Sequence, residues 1–200
     1  RNRPRLPAEA NRRELVAYAT DTRDEENLRE LIQMLGDAAR QRGWVDLARA
    51  RFIVDFVRSL PTPAGGDGSR VRYPMEALID GGTTTDKTIL AAALLNLLGY
   101  DVAILVLEDG HVALGLNHPN CQGAYYLVEG VRYTYIEMGG NLEFGRVSNI
   151  YQDKKAYCYP LSQARHILSS IREASLTVGS ATMVVNGKEI SMDVAPYIKN

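Results

Sequence analysis

The chain has 200 residues, which is enough for one full domain with some chain left over. Its 46% hydrophobic and 24% charged residues are the shares of an ordinary globular protein, and its net charge of −1 favours neither a nucleic acid nor an anionic membrane as a partner. The longest apolar stretch, from Ile89 to Leu107, is interrupted by Asn96, Gly99 and Asp101, so no membrane insertion is predicted.

The first part of the chain is predicted to be helical after an extended beginning. Residues 1–23 open with an Arg- and Pro-rich stretch and are expected to be extended. From Asp24 to Arg42 the apolar residues fall three and four apart, which predicts an amphipathic helix that Gly43 ends. A second helix is predicted over 45–60, and the Pro- and Gly-dense "PTPAGGDGS" (61–69) is predicted to be a loop.

The stretch "DGGTTTDKTIL" (80–90) leads from two glycines into the most apolar helix of the chain. Residues 84–98 are apolar nearly all round, so we expect this helix to be buried at the centre of the domain. Gly99 stands at its C-terminal capping position, and a short helical turn in "YPMEALIDGG" (73–82) precedes it.

After residue 100 the pattern changes to alternating β-type residues. Four segments are predicted to be successive antiparallel strands: 101–107, 111–116, 124–128 and 132–138. Asp109-Gly110 and Glu129-Gly130 are predicted hairpin turns. A buried helix packed on an antiparallel sheet makes the predicted fold class α+β.

Three residues at element ends form a candidate catalytic group. Thr84 begins the buried helix, His111 starts the second strand, and Glu137 lies at the end of the fourth strand. A nucleophile, a base and an orienting carboxylate in this arrangement make a catalytic triad. The N-terminus of a helix stabilises a thiolate and can also hold an oxyanion, which suits the first position to a nucleophile.

The stretches "YPMEALIDGGTTTDKTILAAALLNLLGYDVAILVLEDGHVALGL" and "AYYLVEGVRYTYIEMGG" resemble the prokaryotic branch of the transglutaminase-like superfamily of papain-type cysteine peptidases. The likeness covers about residues 48–140. It implies a papain/transglutaminase-like core over 24–175, including the N-terminal helical pair, and action on amide bonds of a polypeptide or cell-wall peptide without a metal or organic cofactor. The resemblance places the nucleophile at Thr84, the base at His111 and the third member at Glu137.

The chain departs from that family at its nucleophile, because the family pattern resembles G-x-C-x-D-K and Thr84 stands in place of the cysteine. A secondary alcohol is far less acidic than a thiol, whose reference pKa is about 8.5. Little or no turnover is therefore expected, and whether the threonine is natural or introduced stays open. The alternatives are a non-catalytic peptide- or wall-binding module of the same fold, a structural spacer, and a Thr84 that serves only as a helix N-cap.

Further candidates are weaker. Tyr73, Thr85 and Asp86 lie around the candidate nucleophile and could contact the substrate or an oxyanion. A metal site of His111, His118 and Cys121 lacks a fourth ligand, so these residues are interpreted as loop residues and no metal is predicted.

The end of the chain is predicted to form a helix over 161–174 and a separate hairpin over 176–200, with its turn at Asn186-Gly187. The tail "MVVNGKEISMDVAPYIKN" resembles the start of a copper amine oxidase N-terminal-like domain, so a second small domain could begin there. That resemblance implies an extracellular or cell-surface protein, with a cytoplasmic location left open. It makes a Cys121–Cys158 disulfide more plausible, with reduced cysteines equally open.

Overall fold

The computed structural model describes residues 12, 14–63, 70–152, 154–162, 181–185 and 188–192. Its helices are α1 (Glu14–Ala19), α2 (Glu25–Gln41), α3 (Asp46–Ser59), α4 (Pro74–Asp80) and α5 (Thr84–Leu97). Its strands are β1 (Asp101–Leu107), β2 (Val112–Asn117), β3 (Tyr125–Val128), β4 (Val131–Ile136), β5 (Ala156–Pro160), β6 (Ala181–Val185) and β7 (Lys188–Met192). A 3-10 turn over Asn149–Tyr151 precedes β5.

Helix α1 contradicts the expectation of an extended segment over 1–23. Leu15, Tyr18 and Ala19 are buried on one side of this helix, which packs against α5. The expectation rested on the Arg- and Pro-rich composition at the start of the segment and overlooked this short apolar side. Since an isolated helix of this length is unstable, tertiary burial of the apolar side accounts for it.

Helix α5 lies at the centre of the domain, as predicted. Every residue from Asp86 to Asn96 is buried, and the helix contacts all four other helices described above as well as β1 and β2. A helix surrounded in this way needs no polar side, which explains its nearly uniform apolar sequence. Gly99 follows its last turn with a φ of +87°, in the left-handed conformation that commonly ends helices.

The glycine pair before α5 allows close packing of the loop that leads into the helix. A Cβ on Gly81, whose φ is +72°, would lie 2.3 Å from the carbonyl oxygen of Pro61. A Cβ on Gly82 would lie 2.6 Å from the Cβ of Asp86. The backbone N–H of Gly82 donates to the Pro61 carbonyl at 3.0 Å. The glycines therefore set where α5 begins, because only residues without a side chain fit there.

The strands form one antiparallel sheet in the order β5-β1-β2-β4-β3-β6-β7, which confirms the α+β class. The predicted strands are present as β1 to β4, with bounds that differ by up to two residues. Strand β5 was not predicted. It pairs with β1, and β2, β3 and β4 lie between the two strands in sequence. No short hairpin turn therefore precedes β5 to indicate its pairing.

The two faces of the sheet bury different side chains. Val102, Ile104 and Val106 of β1 pack with the helices, whereas Ala103 and Leu105 join a second core on the opposite face. Strands β3 and β5 contact each other although they are not neighbours in the sheet, so the sheet curls around that second core. The start of β2 pairs beside the end of β4, and the hydroxyl of Thr88 of α5 lies 3.4 Å from the carbonyl of Val112 in β2, so both strand ends lie near the start of α5.

The tail strands continue this sheet. Strand β6 pairs with β3 and β7 pairs with β6, which corrects the expectation of a hairpin separate from the main sheet. The turn at Asn186-Gly187 and most of the helix predicted over 161–174 lie outside the described residues. The start of a second small domain in this region stays a prediction. None of the described helices combines the length and the apolar character needed to cross a bilayer.

Candidate functional site

Thr84 is the first residue of α5. The residue that caps the N-terminus of this helix is Thr83, not Thr84. The side-chain oxygen of Thr83 accepts a hydrogen bond from the backbone N–H of Asp86 at 3.3 Å. The Asp86 carboxylate in turn accepts from the Thr83 backbone N–H at 2.9 Å, which completes a capping box. The interpretation of Thr84 as the N-cap is therefore wrong, and its hydroxyl is not used in starting the helix.

Thr83→Ala is expected to lower the free energy of unfolding by about 1–2 kcal/mol, because it removes the capping hydroxyl at the N-terminus of the central helix. Urea unfolding followed by circular dichroism measures the difference. Thr85→Ala, in the same turn and partly exposed, is the matched control and should change it by less than about 0.5 kcal/mol. Equal effects of the two substitutions would contradict the assignment of the cap.

His111 and Glu137 are in direct contact. Nε2 of His111 lies 2.9 Å from Oε2 of Glu137, with side-chain exposures of 16% and 5%. Glu137 also accepts from the hydroxyl of Tyr135 at 2.7 Å and from the backbone N–H of Gly139 at 3.0 Å. Burial raises the pKa of the Glu137 carboxyl, but the hydrogen bonds from His111, Tyr135 and Gly139 outweigh it and hold the pKa below its usual value.

This environment determines which nitrogen of His111 can act as a base. An ionised carboxylate only accepts hydrogen bonds, so Nε2 of the imidazole must carry a proton where it meets Glu137. In the neutral imidazole the second nitrogen, Nδ1, is then the unprotonated one. A nucleophile activated by His111 would lose its proton to Nδ1, while Glu137 stabilises the imidazolium that forms.

The hydroxyl of Thr84 lies beside this pair. Its Oγ1 is 3.3 Å from the position that a Cβ on Gly139 would take, and Oε1 of Glu137 is 3.4 Å from the same point. The hydroxyl of Thr88, one turn along α5, donates to the carbonyl of Thr84 at 2.8 Å and is 3.4 Å from the carbonyl of Val112. The first turn of α5 is thus joined to the start of β2, next to His111. Among the described residues, the Thr84 hydroxyl makes no hydrogen bond to the imidazole.

The aromatic surroundings of the pair include residues that sequence reasoning did not assign to the site. The ring of Tyr151 stacks on the His111 imidazole with 4.1 Å between the ring centroids and 14° between the planes. Tyr135 is fully buried at the end of β4. It precedes Glu137 by two residues, and the same-face rule for strands could have suggested their contact. No local signal marks Tyr151.

Arg58, at the end of α3, holds the backbone that carries Glu137. Its guanidinium donates to the carbonyl of Glu137 at 2.6 and 3.1 Å and to the carbonyl of Leu142 at 2.9 Å, with a side-chain exposure of 7%. Lys87 of α5 donates to the carbonyl of Arg58 at 3.2 Å, and its burial lowers the pKa of the ammonium group. The end of α3 therefore ties the segment after β4 to the helix that begins with Thr84.

Arg58→Met is expected to lower the free energy of unfolding by about 1.5–3 kcal/mol, because two backbone carbonyls lose a charged donor. Chemical denaturation measures the loss. Arg51→Met, on the same helix, is the matched control. Arg51 is 42% exposed and pairs with Glu143 at 3.8 Å, so its loss should cost less than about 1 kcal/mol. A similar cost for both variants would contradict a specific role of Arg58 in holding the segment.

The three other residues that the sequence suggested for the site, Asp86, Tyr73 and Thr85, have different surroundings in the structure. Asp86 is buried, and its carboxylate accepts hydrogen bonds within the capping box and from the backbone N–H of Arg72 at 2.8 Å, so a substrate contact for it stays a prediction. Tyr73 is buried at the start of α4, where its ring packs on that of Tyr18 at 4.4 Å between centroids. Its hydroxyl accepts a hydrogen bond from Arg23 at 3.3 Å, and the oxyanion role suggested for Tyr73 stays a prediction. Thr85 lines a cavity beside Thr84 and remains a candidate.

The cysteines and histidines outside the pair make no second centre in the described part of the chain. Cys121 and Cys158 are buried free thiols, and burial raises the pKa of each. They lie in the cores on opposite faces of the sheet, so of the two open alternatives, a disulfide or reduced cysteines, the structure has the reduced cysteines. Nδ1 of His118 accepts from the backbone N–H of Asn120 at 3.2 Å, as in a loop turn. No cluster of metal-ligating side chains is found among the described residues.

Comparison with known proteins identifies no relative, so the functional assignment rests on the geometry of the site. The chain matches no protein-family model, and neither curated proteins nor solved structures give a significant match.

Proposed function

We propose that the edge formed by α5, β2 and β4 is a transglutaminase-like site for acyl transfer from amide bonds of polypeptides, in which Thr84 occupies the place of the nucleophile. The observation that carries the proposal is the 2.9 Å contact between His111 and Glu137 beside the first residue of the central helix. The papain/transglutaminase-like core, a polypeptide or cell-wall peptide as substrate and an extracellular or cell-surface location are part of this proposal.

In a cysteine-bearing form of the site, each residue has a definite task. The thiol would give its proton to Nδ1 of His111, and the sulfur would attack the amide carbonyl carbon. The leaving amine would take that proton, and the resulting thioester would be cleaved by water or by a second amine. The backbone N–H of residue 84, at the N-terminus of a 14-residue helix, would help to stabilise the tetrahedral oxyanion.

With threonine in this place the chain is proposed to have little or no turnover. The hydroxyl is much less acidic than a thiol, and its β-branched carbon restricts how the oxygen can turn toward a carbonyl. Threonine nucleophiles rely on a free N-terminal amine as base, and Thr84 lies inside the chain. The site would then retain its base and its carboxylate without a competent nucleophile.

Turnover of glutamine- and amide-containing peptides by the Thr84→Cys chain tests the proposal. We expect ammonia or amine release that iodoacetamide abolishes, against no release from the unaltered chain. Met34→Cys is the control, since it introduces a thiol on α2 at a position that is 70% exposed and outside the candidate site. Because Cys121 and Cys158 are buried thiols with raised pKa, they should contribute little background. Absence of turnover in Thr84→Cys across the peptide panel would reject the acyl-transfer site.

The second candidate is a non-catalytic module that binds an extended peptide in the same place. The threonine at the nucleophile position favours it, since a binding site needs no thiol. Peptide binding by the unaltered chain, weakened by His111→Ala while Thr84→Cys brings no turnover, would support this candidate. The absence of both binding and turnover would leave only a structural role.

A further inference from the structure

A cavity of about 270 Å³ lies directly beside the candidate site. Thr83 and Thr85, on either side of Thr84, form part of its wall, as does Gly110, the residue before His111. Any group bound in this cavity would therefore be next to the amide that the candidate nucleophile faces. Its volume suits one or two side chains rather than a whole ligand, since complete ligand pockets are usually larger.

The cavity combines an apolar wall with two arginines. Val71, Val106 and Val112 supply the apolar part, and Arg12 and Arg70 are the basic residues that line it. An aliphatic stem that ends in an anionic group is complementary to such a surface, because the stem covers the valines and the charge meets the arginines.

The arginines keep donors available for a bound anion. The guanidinium of Arg12 lies over the ring of Tyr157 at 4.2 Å from its centroid, and such stacking uses the flat face of a guanidinium rather than its N–H edge. Arg70 is exposed. Among the described residues, no carboxylate forms an ion pair with either arginine within 4.0 Å.

The acid in the cavity wall does not cancel this positive charge. Both oxygens of Asp86 are engaged, Oδ2 by the backbone N–H and hydroxyl of Thr83 and Oδ1 by the backbone N–H of Arg72. Its charge is therefore already compensated by local donors. The cavity lining therefore has a net positive charge, because two arginines face one carboxylate whose oxygens are already hydrogen-bonded.

We propose that this cavity is a specificity subsite for a glutamate-type side chain next to the reacting amide, so that the preferred substrates are acidic peptides. The inference rests on the proposed function for the position of the peptide, but its main test is binding, which does not require turnover. The aliphatic stem lies along the valine wall and the carboxylate is held between Arg12 and Arg70.

The test compares two short peptides that are identical except for glutamate or glutamine next to a central amide-bearing residue. Calorimetric titration into the unaltered chain is expected to show about five- to tenfold tighter binding of the glutamate peptide, a preference that falls as salt is added. Arg70→Gln and Arg12→Gln should remove the preference. Arg132→Gln, whose guanidinium lies over Tyr125 on neighbouring strands, is the matched control and should retain it.

Two results would overturn the subsite. Equal binding of both peptides, together with equal turnover of both by Thr84→Cys, rejects the acidic preference and leaves the acyl-transfer site standing. A glutamate preference that survives both arginine substitutions places the anion elsewhere. Binding with glutamate preference but without turnover by Thr84→Cys supports the subsite and rejects catalysis, so the two proposals fail separately.

Discussion

Replacing His111 by alanine in the Thr84→Cys chain is expected to lower amide turnover by about 10²- to 10⁴-fold, which is the usual contribution of a positioned general base. The imidazole is held by Glu137 at 2.9 Å, which leaves Nδ1 to take the proton of the thiol. The same substitution should raise the pH midpoint of iodoacetamide labelling toward the reference thiol pKa of about 8.5. Initial rates of turnover and of labelling between pH 5 and 9 provide the measurement.

The control for this prediction is His118→Ala, which removes a histidine from a surface turn. It should leave both the turnover and the labelling profile of the Thr84→Cys chain unchanged. If His111→Ala also left them unchanged, the imidazole would not be the base and the triad assignment would be lost.

Replacing Glu137 by alanine is expected to lower the free energy of unfolding by about 2–4 kcal/mol at pH 7, because buried donors lose their acceptor. The hydroxyl of Tyr135 is fully buried, and the backbone N–H of Gly139 also donates to this carboxylate. Denaturant unfolding at fixed pH gives the loss. Glu143→Ala, with a side-chain exposure of 77%, is the control and should cost less than about 1 kcal/mol.

The contribution of Glu137 should also depend on pH in a defined direction. Its pKa in the folded protein is held below the ordinary 4.5, so its stabilising effect is present above that value and is lost as pH falls through the lower folded-state pKa. The stability difference between the unaltered chain and Glu137→Gln should accordingly be constant near neutral pH and shrink below about pH 4.5. A difference that stays constant down to pH 3 would contradict an ionised Glu137 with a lowered pKa.

The region from 84 to 137 could be predicted from sequence because its signals are local. An apolar run of helical length, alternating β-type segments and Gly-containing turns each depend on neighbouring residues. Helix α5 and strands β1 to β4 therefore appear near their predicted places. His111 and Glu137 follow from these elements, since each stands at the end of a strand whose partner in the sheet carries the other.

The exact start of α5 shows where local reasoning was insufficient. The three consecutive threonines are all suitable caps, and sequence preference does not distinguish between them. In the structure Thr83 is the cap, because it forms the capping box with Asp86. Thr84 consequently presents a hydroxyl to the His111–Glu137 side, a point on which the candidate nucleophile position depends.

The α+β class, the buried central helix and the two strand ends that bear His111 and Glu137 could be predicted from the residues alone, because these features depend on short-range periodicity and turn chemistry. The helical state of α1, the pairing of β5 with β1, and the positions of Arg58 and Tyr151 beside the His111–Glu137 pair depend on tertiary contacts. Such contacts join segments that are far apart along the chain, and their stabilisation arises from burial and hydrogen bonding that no local pattern records.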